Sequence, residues 1–375
     1  MIRFSTVAGF HVALISALMA MPAGSRPIVA ILSATLICFA FVHAMTNRAS
    51  EVSIQRRPLL TLVALVAVWM LSLSSALLDG VTRIAPNQVI EVGLMVAVVW
   101  AVSRVDVDDI LKSASLVCGL IFAASIGLAL IGVKLFTSDN AYTATLILPL
   151  IYLRKRRTFT TFCLFAGVTA ASYYLNARLM LTLAPLIWLS GSRMAETRKA
   201  RTLAFIALAS AIALNVYFTF NFSTAANEIT TNRVMIWNIY GDEIAKRPLL
   251  GWSDTLSEQG QAVAQALSQY LDRGVGDAYG TQSMYVAYLY ENGIVGFAVV
   301  MLLLTYALRK AGRFYYPLLL LLAAGLLETF RIGAPTIIGL PMTLLFFAAI
   351  AERRDLRQSD IGRSYSAIGA ANAHA

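Results

Sequence analysis

The sequence predicts an all-α, polytopic membrane protein with about twelve transmembrane helices, and three observations support this fold class. Of its 375 residues, 58% are hydrophobic and only 13% are charged, whereas a soluble domain carries about 25% charged residues. Apolar runs close to the ~20 residues needed to cross a bilayer recur along the chain. One long polar interval, residues 221–281, separates the first nine runs from the last three.

The apolar runs divide the chain into four parts. Residues 1–220 hold the predicted spans one to nine, 221–281 form a large loop, 282–351 hold spans ten to twelve, and 352–375 form a tail. The interval 158–190 is too long for one crossing at ~1.5 Å per residue, so we predict a tight helical hairpin there. In chain order, the predicted spans are 7–21, 27–45, 58–78, 84–103, 113–131, 141–153, 158–175, 179–190, 201–220, 283–308, 314–330 and 334–351.

The distribution of basic residues predicts the orientation, because membrane proteins place Lys and Arg mainly in cytoplasmic loops. With the N terminus in the cytoplasm, most of the 30 Lys and Arg residues fall in cytoplasmic loops. Both termini are then cytoplasmic, and the 221–281 loop lies outside. The net charge of +10 therefore indicates topology rather than nucleic-acid binding, and the lipid bilayer is an expected partner.

The large loop is predicted to contain two helices. The first ends before Pro248, which cannot continue a helix. Arg233 lies in its first turn, where a cation opposes the helix dipole, so this residue looks placed for a ligand. A second helix is predicted over 254–273, with Thr255 and Glu258 as a capping box. The N-cap candidates of the first helix are Thr230, Thr231 and Asn232.

Ionisable residues in or beside the apolar runs are costly in a bilayer and are therefore functional candidates. Glu291 lies about 12 Å below the outer end of the tenth span. Glu91 and Glu328 fit a structural ion pair or a hydrogen-bonded anchor as well as a functional role. Arg331 suits a side chain that snorkels to the interface. The full set is Glu91, Arg178, Glu291, Glu328 and Arg331.

Arg178 and Arg233 form the sharper pair, because the predicted topology places both outside. A guanidinium binds phosphate bidentately, and a helix N-terminus adds free N–H groups for an anion. Together they would suit a lipid-linked pyrophosphate, while a headgroup contact or a loop salt bridge is the alternative for each.

The acidic run 106–109 fits a helix cap or a solvated loop. We expect no metal and no cofactor.

Several short segments carry a recognisable pattern. The large loop contains Arg233-Val-Met-Ile-Trp237 and then Arg247-Pro-Leu-Leu-Gly-Trp252, and Glu291-Asn-Gly-Ile-Val-Gly296 follows it. Asp139-Asn140 and Asn176-Ala-Arg178-Leu179 precede it. In this order, the segments resemble the bacterial O-antigen ligase and polymerase family of membrane glycan-assembly proteins.

The resemblance implies glycosyl transfer on the periplasmic face of the bacterial inner (plasma) membrane. The donor would be an undecaprenyl-pyrophosphate-linked oligosaccharide, and Arg178 and Arg233 would neutralise the leaving pyrophosphate-lipid without a metal. The acceptor hydroxyl belongs to another lipid-linked repeat unit in a polymerase, or to lipid A–core in a ligase. Other polysaccharide-export components are further expected partners. The candidate substrate-binding residues are Asn140, Trp237, Arg247, Trp252 and Tyr285, of which the aromatic ones suit interfacial anchoring equally well.

One departure from the family pattern bears on the reaction. Ligases of this family carry a histidine where the large loop re-enters the membrane, and this chain has Gln282 there. A glutamine can orient a hydroxyl but cannot take a proton at neutral pH, so Glu291 is the nearest candidate base. The candidate catalytic residues are Arg178, Arg233, Gln282 and Glu291.

The missing histidine favours a polymerase of the exopolysaccharide or lipopolysaccharide pathway over a ligase. The rival from another class is a flippase for lipid-linked glycans, since twelve spans with both ends inside is also a common transporter layout. Transporters of that size tend to have two related halves. Here the large loop lies past the midpoint and has no counterpart in the first half, which favours the enzyme.

Overall fold

The computed structural model describes residues 4–19, 21, 26–46, 56–78, 86–133, 135–136, 139–156, 158–174, 177–192, 197–230, 232–252, 265, 281–329 and 332–351. Within these ranges, every regular element is a helix. In chain order they are α1 (Phe4–Leu18), α2 (Arg26–Thr46), α3 (Arg56–Leu78), α4 (Pro86–Arg104), α5 (Val107–Leu130), α6 (Asp139–Ala144), α7 (Ile147–Leu153), α8 (Phe159–Tyr174), α9 (Arg178–Ser190), α10 (Arg198–Phe220), α11 (Thr224–Ile229), α12 (Arg233–Lys246), α13 (Met284–Lys310), a 3-10 turn (Gly312–Phe314), α14 (Tyr315–Ala324) and α15 (Gly339–Ala351).

Four helices among the described residues are long and apolar enough to cross a bilayer. They lie within α3 (Arg56–Ser74), α5 (Val107–Ala129), α10 (Arg198–Phe220) and α13 (Met284–Lys310). Six further apolar helices are 10–17 residues long. The chain is therefore a helical membrane protein, and the count of twelve spans stays a prediction.

The helices pack into one bundle whose centre is formed by α13 and α15. α13 packs against α3, α12 and α15, and the side chains of Phe346 and Phe347 on α15 are fully buried. α1 and α5 run parallel and touch closely, because a Cβ on Gly9 would lie 2.6 Å from the carbonyl oxygen of Ile110. Such close backbone approach through a small residue is typical of helices in membranes.

Four of the predicted cytoplasmic loops meet at one end of this bundle, which we call the basic end. Arg313 forms an ion pair with Asp108 at 2.7 Å, and Arg154 donates to the carbonyl oxygen of Arg313 at 2.6 Å. The hydroxyl of Tyr315 donates to the carbonyl oxygen of Arg201 at 2.7 Å. These contacts join the loops that follow α4, α7, α9 and α13.

The acidic run 106–109 lies at this end and caps a helix, which is one of the two structures predicted for it. The Asp106 carboxylate accepts from the amide of Asp108 at 3.0 Å at the start of α5. Asp108 and Asp109 lie in the first turn, where a negative charge is favourable.

Several predicted spans are shorter or less regular than the sequence indicated. The predicted span 141–153 is two short helices, α6 and α7, separated by a turn at Thr145 and Leu146. The predicted span 314–330 ends at Ala324, and the last span begins at Gly339 instead of residue 334. Hydropathy does not reveal these turns, because irregular segments that are buried in the protein carry side chains as apolar as those of a helix.

The helix α13, predicted as a straight span over 283–308, is broken at Gly293. This residue has φ 60° and ψ −169°, outside the helical region. Residues 248–252, which we call the docked segment, lie against the break. Ile294 donates its amide to the carbonyl of Pro248 at 2.8 Å, Val295 donates to Leu249 at 3.2 Å, and Trp252 donates to Tyr290 at 2.8 Å. The docked segment therefore replaces helical hydrogen bonds that the break removes.

The first predicted helix of the large loop is present as α12, which starts at Arg233 and ends at Lys246. Its last turn contains an ion pair between Lys246 and Glu243 at 2.5 Å. The second predicted helix, 254–273, lies outside the described residues apart from residue 265. Arg331 and the tail 352–375 also lie outside them.

Candidate functional site

Three segments meet at the end of the bundle opposite the basic end. They are the start of α12, the residues 281–283 that lead into α13, and the turn 325–329 that follows α14. The amide of Met284 donates to the carbonyl of Gly325 at 2.7 Å, and the hydroxyls of Thr281 and Thr329 are 3.2 Å apart. The charge of Arg233 acts on Glu328 in the turn. These contacts define the candidate site.

Arg233 is the first residue of α12, and its neighbours cap the helix. Asn232 is in the left-handed region, with φ 66°, and its side chain makes no cap hydrogen bond. Instead, the hydroxyl of Thr230 accepts from the amide of Val234 at 3.3 Å, and the carboxamide of Asn227 accepts from Met235 at 2.9 Å. Two of the amides that the sequence offered to an anion at this helix start, those of Val234 and Met235, are therefore already engaged.

The guanidinium of Arg233 is the positively charged group at this helix start. It is half-buried, and its Nη1 donates to the carbonyl of Thr230 at 3.4 Å. Its Nε is buried and has no hydrogen-bond partner among the described residues. Because a buried donor without an acceptor is costly, this atom is available to an acceptor that a bound ligand would bring.

Glu328 is the carboxylate that Arg233 influences. It lies in the turn beyond the apolar helix α14 and is half-buried. Burial raises the pKa of its carboxyl above the ordinary value of 4.5, and the nearby positive charge of Arg233 opposes that rise. Desolvation and an opposite charge act in these directions on any carboxyl. The site therefore holds a carboxyl that takes up a proton at higher pH than an exposed glutamate does.

Gln282 and Ser283 stand where the loop meets α13. Gln282 has φ 47°, which is unusual for a residue other than glycine and marks a constrained position. Ser283 caps α13 by accepting from the amide of Val286, and its hydroxyl lies 3.0 Å from Oδ1 of Asn215 on α10. Asn215 is 3% exposed, and its Nδ2 has no hydrogen-bond partner in the described part of the chain.

Glu291 lies on another face of α13. It is 3% exposed and lines a cavity of about 60 Å³ together with Glu91, Trp69 and Tyr288. The residues that face α12 from the same helix are Val286, Leu289 and Tyr290. The structure thus brings Glu291 beside Glu91 on α4, while Arg233 acts on Glu328.

Arg178 and Asn140 lie at the starts of other helices. Arg178 is the first residue of α9 and its side chain is exposed. The rings of Phe162 and Trp188 are 5.8 Å apart, so α8 and α9 run antiparallel as the predicted hairpin requires. Arg178 is consequently remote from the basic end. Asn140 is in the first turn of α6, and its side chain lies outside the described part.

The aromatic candidates differ in their exposure. Trp237 is 3% exposed in an apolar cluster with Tyr240 and Tyr290, and Tyr285 is fully buried with its hydroxyl donating to the carbonyl of Leu322 at 2.8 Å. Neither ring has a face open to a sugar in this conformation. Trp252 is half-buried, donates its Nε1 to the carbonyl of Glu243 at 3.0 Å, and is covered on one face by the guanidinium of Arg247 at 4.9 Å.

The docked segment joins the two glycine-containing motifs singled out in the sequence. Gly251 has φ 69°, and a Cβ there would lie 2.6 Å from the backbone of Tyr290 and Glu291. A Cβ on Gly293 would overlap the carbonyl group of Leu249. Ser72 on α3 adds a bridge, because its hydroxyl lies 2.8 Å from the carbonyl oxygen of Leu250 and also donates to that of Glu291.

The sequence does not single out Asn215 and Ser72 as supports of this site. Glu328 is among the ionisable functional candidates that the sequence predicts, but nothing in the sequence places it near Arg233. Asn215 is polar within an apolar run, and that signal would have identified it. Among the described residues, no group of three or more His, Cys, Asp or Glu side chains has the arrangement of a metal site.

Comparison with known proteins gives one positive result. Residues 141–301 match the family described as O-Antigen ligase. The matched range runs from α6 to the middle of α13 and includes Arg178, Arg233, Gln282 and Glu291. A comparison with curated proteins gives no match.

Proposed function

We propose that this chain is a metal-independent membrane glycosyltransferase that polymerises undecaprenyl-pyrophosphate-linked repeat units, since residues 141–301 match the family described as O-Antigen ligase. The observation that carries the proposal is Arg233, whose buried Nε has no hydrogen-bond partner among the described residues. Arg233 lies inside the segment that matches the family, and its charge acts on the half-buried carboxyl of Glu328, which follows that segment in the chain. A pyrophosphate would supply the acceptor oxygens that this donor needs.

In the proposed reaction, the acceptor hydroxyl oxygen attacks the anomeric carbon of the donor glycan. The bond from that carbon to the phosphate oxygen breaks, and the undecaprenyl pyrophosphate leaves with the bonding electron pair. Arg233, with Arg178 on the same side of the predicted topology, stabilises the charge that develops on the leaving group. The hydroxyl proton goes to a carboxylate of the protein.

We assign that proton to Glu328 in preference to Glu291, the candidate that the sequence suggested. Glu328 lies in the turn 325–329, which is hydrogen-bonded to the Thr281–Met284 segment. The resemblance places the histidine of the family's ligases in that segment, at Gln282. Glu291 lines a small cavity on a different face of α13. A base whose pKa is raised towards the operating pH is also a more effective proton acceptor. Gln282 and Asn215 would orient the acceptor hydroxyl through their carboxamides.

The test is to analyse the glycan in cells that carry Arg233→Ala, with Arg309→Ala as the matched control, since Arg309 is an exposed arginine at the basic end. We expect Arg233→Ala to lower polymerisation about a hundredfold or more, while the protein remains in the membrane. Single repeat units then accumulate on the lipid or reach the surface, and Arg309→Ala makes normal polymer.

Two other results would overturn the proposal. Complete polymer stranded on undecaprenyl pyrophosphate would mean that the lost activity is a ligase. Repeat units trapped in the cytoplasmic leaflet would mean that it is a flippase.

A further inference from the structure

A large groove opens on the side of the bundle near the basic end, remote from the candidate site. It has a volume of about 600 Å³ and is bounded by α1, α5, α7 and α8. This volume lies within the range of about 300–1,000 Å³ that is usual for ligand pockets. The groove follows α5 from Asp109 to Gly119, a length of about 15 Å at the helical rise, which is half the thickness of the hydrocarbon core.

The inner part of the groove is apolar and open. Leu116 is 68% exposed and Leu164 is 36% exposed, and both line it. A Cβ on Gly119 would have no atom within 4 Å, so this glycine faces empty space rather than a neighbouring helix. In a bilayer, an open apolar groove of this kind is filled by hydrocarbon, because water there would leave its hydrogen bonds unsatisfied.

The mouth of the groove is polar and, on balance, positive. Lys112 lines it and is exposed, as is Asp109. Tyr152 also lines it, and the guanidinium of Arg156 lies over the Tyr152 ring at 5.4 Å with Nη2 3.4 Å from the hydroxyl. Two basic side chains, those of Lys112 and Arg156, therefore stand at the mouth with one carboxylate, that of Asp109. Basic pockets between membrane helices suit anionic headgroups.

The other acidic groups of the run do not cancel this charge. Asp108 is held by Arg313 at 2.7 Å, and Asp106 lies 3.8 Å from the same guanidinium while it caps α5. We propose that the groove is a binding site for one anionic phospholipid, whose headgroup meets Lys112 and Arg156 and whose acyl chain lies along Leu116 and Gly119.

The experiment uses the full chain purified in detergent and exposed to an equal mixture of phosphatidylglycerol and phosphatidylcholine, with retained lipid counted by native mass spectrometry. The wild type should retain one phospholipid per chain, with phosphatidylglycerol preferred. Gly119→Leu places a side chain in the groove, where its Cβ meets no atom within 4 Å, and it improves helix propensity. This variant should therefore fold normally and lose the retained lipid. Gly127→Leu is the matched control, because Gly127 also faces open space on α5 but does not line the groove.

The headgroup contact is tested separately. Lys112→Gln should lower the preference for phosphatidylglycerol about fivefold, which is the effect of one basic residue near a charged headgroup. Lys199→Gln, an exposed lysine on α10, should leave the preference unchanged. Equal retention of the two lipids by the wild type, or the same retained lipid in Gly119→Leu as in Gly127→Leu, would overturn the proposal.

Discussion

The side chain of Arg233 is not needed to start its own helix. Thr230 and Asn227 satisfy the amides of Val234 and Met235, and the left-handed backbone of Asn232 sets the direction in which α12 begins. A cation in the first turn costs free energy against the helix dipole, about 0.3–1 kcal/mol at an exposed position. A ligand that brings negative charge would offset this cost, whereas a purely structural role would favour an acidic residue here.

At the same scale, Glu328→Gln tests the proposed proton acceptor. We expect transfer in proteoliposomes to fall about 10²–10⁴-fold, the usual effect of losing a general base. Because burial raises the pKa of this carboxyl, wild-type activity should fall on acidification at a pH above the ordinary glutamate range. The residual activity of Arg233→Gln should fall at a higher pH still, because removal of the cation lets the pKa of Glu328 rise further.

An unchanged rate in Glu328→Gln would refute the assignment of Glu328 as the proton acceptor. The control is Glu228→Gln, because Glu228 is an exposed glutamate on α11.

The sequence identified Arg233 through its conflict with the helix dipole, which is a local property. It did not identify Glu328 as the carboxyl near Arg233. Counting along a span gives the depth of a residue in the membrane, and Glu291 has a suitable depth. The face of α13 on which Glu291 lies depends on the neighbours of that helix, and these are set by the tertiary packing.

At the scale of elements, the break in α13 requires glycine. Gly293→Ala should lower the free energy of unfolding by at least about 2 kcal/mol, because alanine is strained at positive φ and its Cβ would overlap the carbonyl group of Leu249. The measurement is the Tm of the detergent-purified protein. Gly127→Ala should leave the Tm unchanged or raise it, since its Cβ would meet no atom within 4 Å. Equal Tm values for the two variants would contradict this account.

Ser72 holds the docked segment to α3 and α13. Ser72→Ala should cost about 1–2 kcal/mol and speed amide hydrogen exchange in residues 248–252, because it removes the bridge between the carbonyls of Leu250 and Glu291. Ser74→Ala is the matched control, since the exposed hydroxyl of Ser74 donates to the carbonyl oxygen of Met70 in its own helix, at 2.8 Å. Exchange that is as slow in Ser72→Ala as in Ser74→Ala would show that the bridge does not hold the segment.

The elements were predictable to different degrees. The start and end of α12 follow from the N-cap candidates before Arg233 and from Pro248, because caps and helix breakers act locally. The turn at Thr145 and the early end of α14 at Ala324 were not predictable from hydropathy, since both lie in buried, apolar surroundings. The break at Gly293 was not predicted either, because a single glycine is tolerated within a helix, and the break depends on the contact with the docked segment.

At the scale of the whole molecule, sidedness can be tested with single cysteines. After replacement of Cys38, Cys118 and Cys163, an impermeant maleimide should label Thr224→Cys in intact spheroplasts and Lys199→Cys only in broken membranes. Both positions are exposed, and α10 separates them. Labelling of both cysteines from the same side would contradict the predicted topology.

The sequence could predict which loops share a side of the membrane, and the contacts of Arg313 with Asp108 and Arg154 agree with that grouping. It could not predict which helices are neighbours, such as α1 and α5. In a soluble protein the apolar face of a helix marks its packed side. In a membrane, lipid is as apolar as the core, so the pattern carries little information about packing.

The docked segment also bears on the order of events in biogenesis. Residues 248–252 are translated before α13, yet the amides of Ile294 and Val295 find their acceptors only there. An amide that enters hydrocarbon without an acceptor costs several kcal/mol. A newly inserted α13 therefore cannot bury its break until the docked segment folds back against it. Insertion of this helix and docking of residues 248–252 are thus coupled, so a chain stably integrated in the membrane already has the docked segment in place.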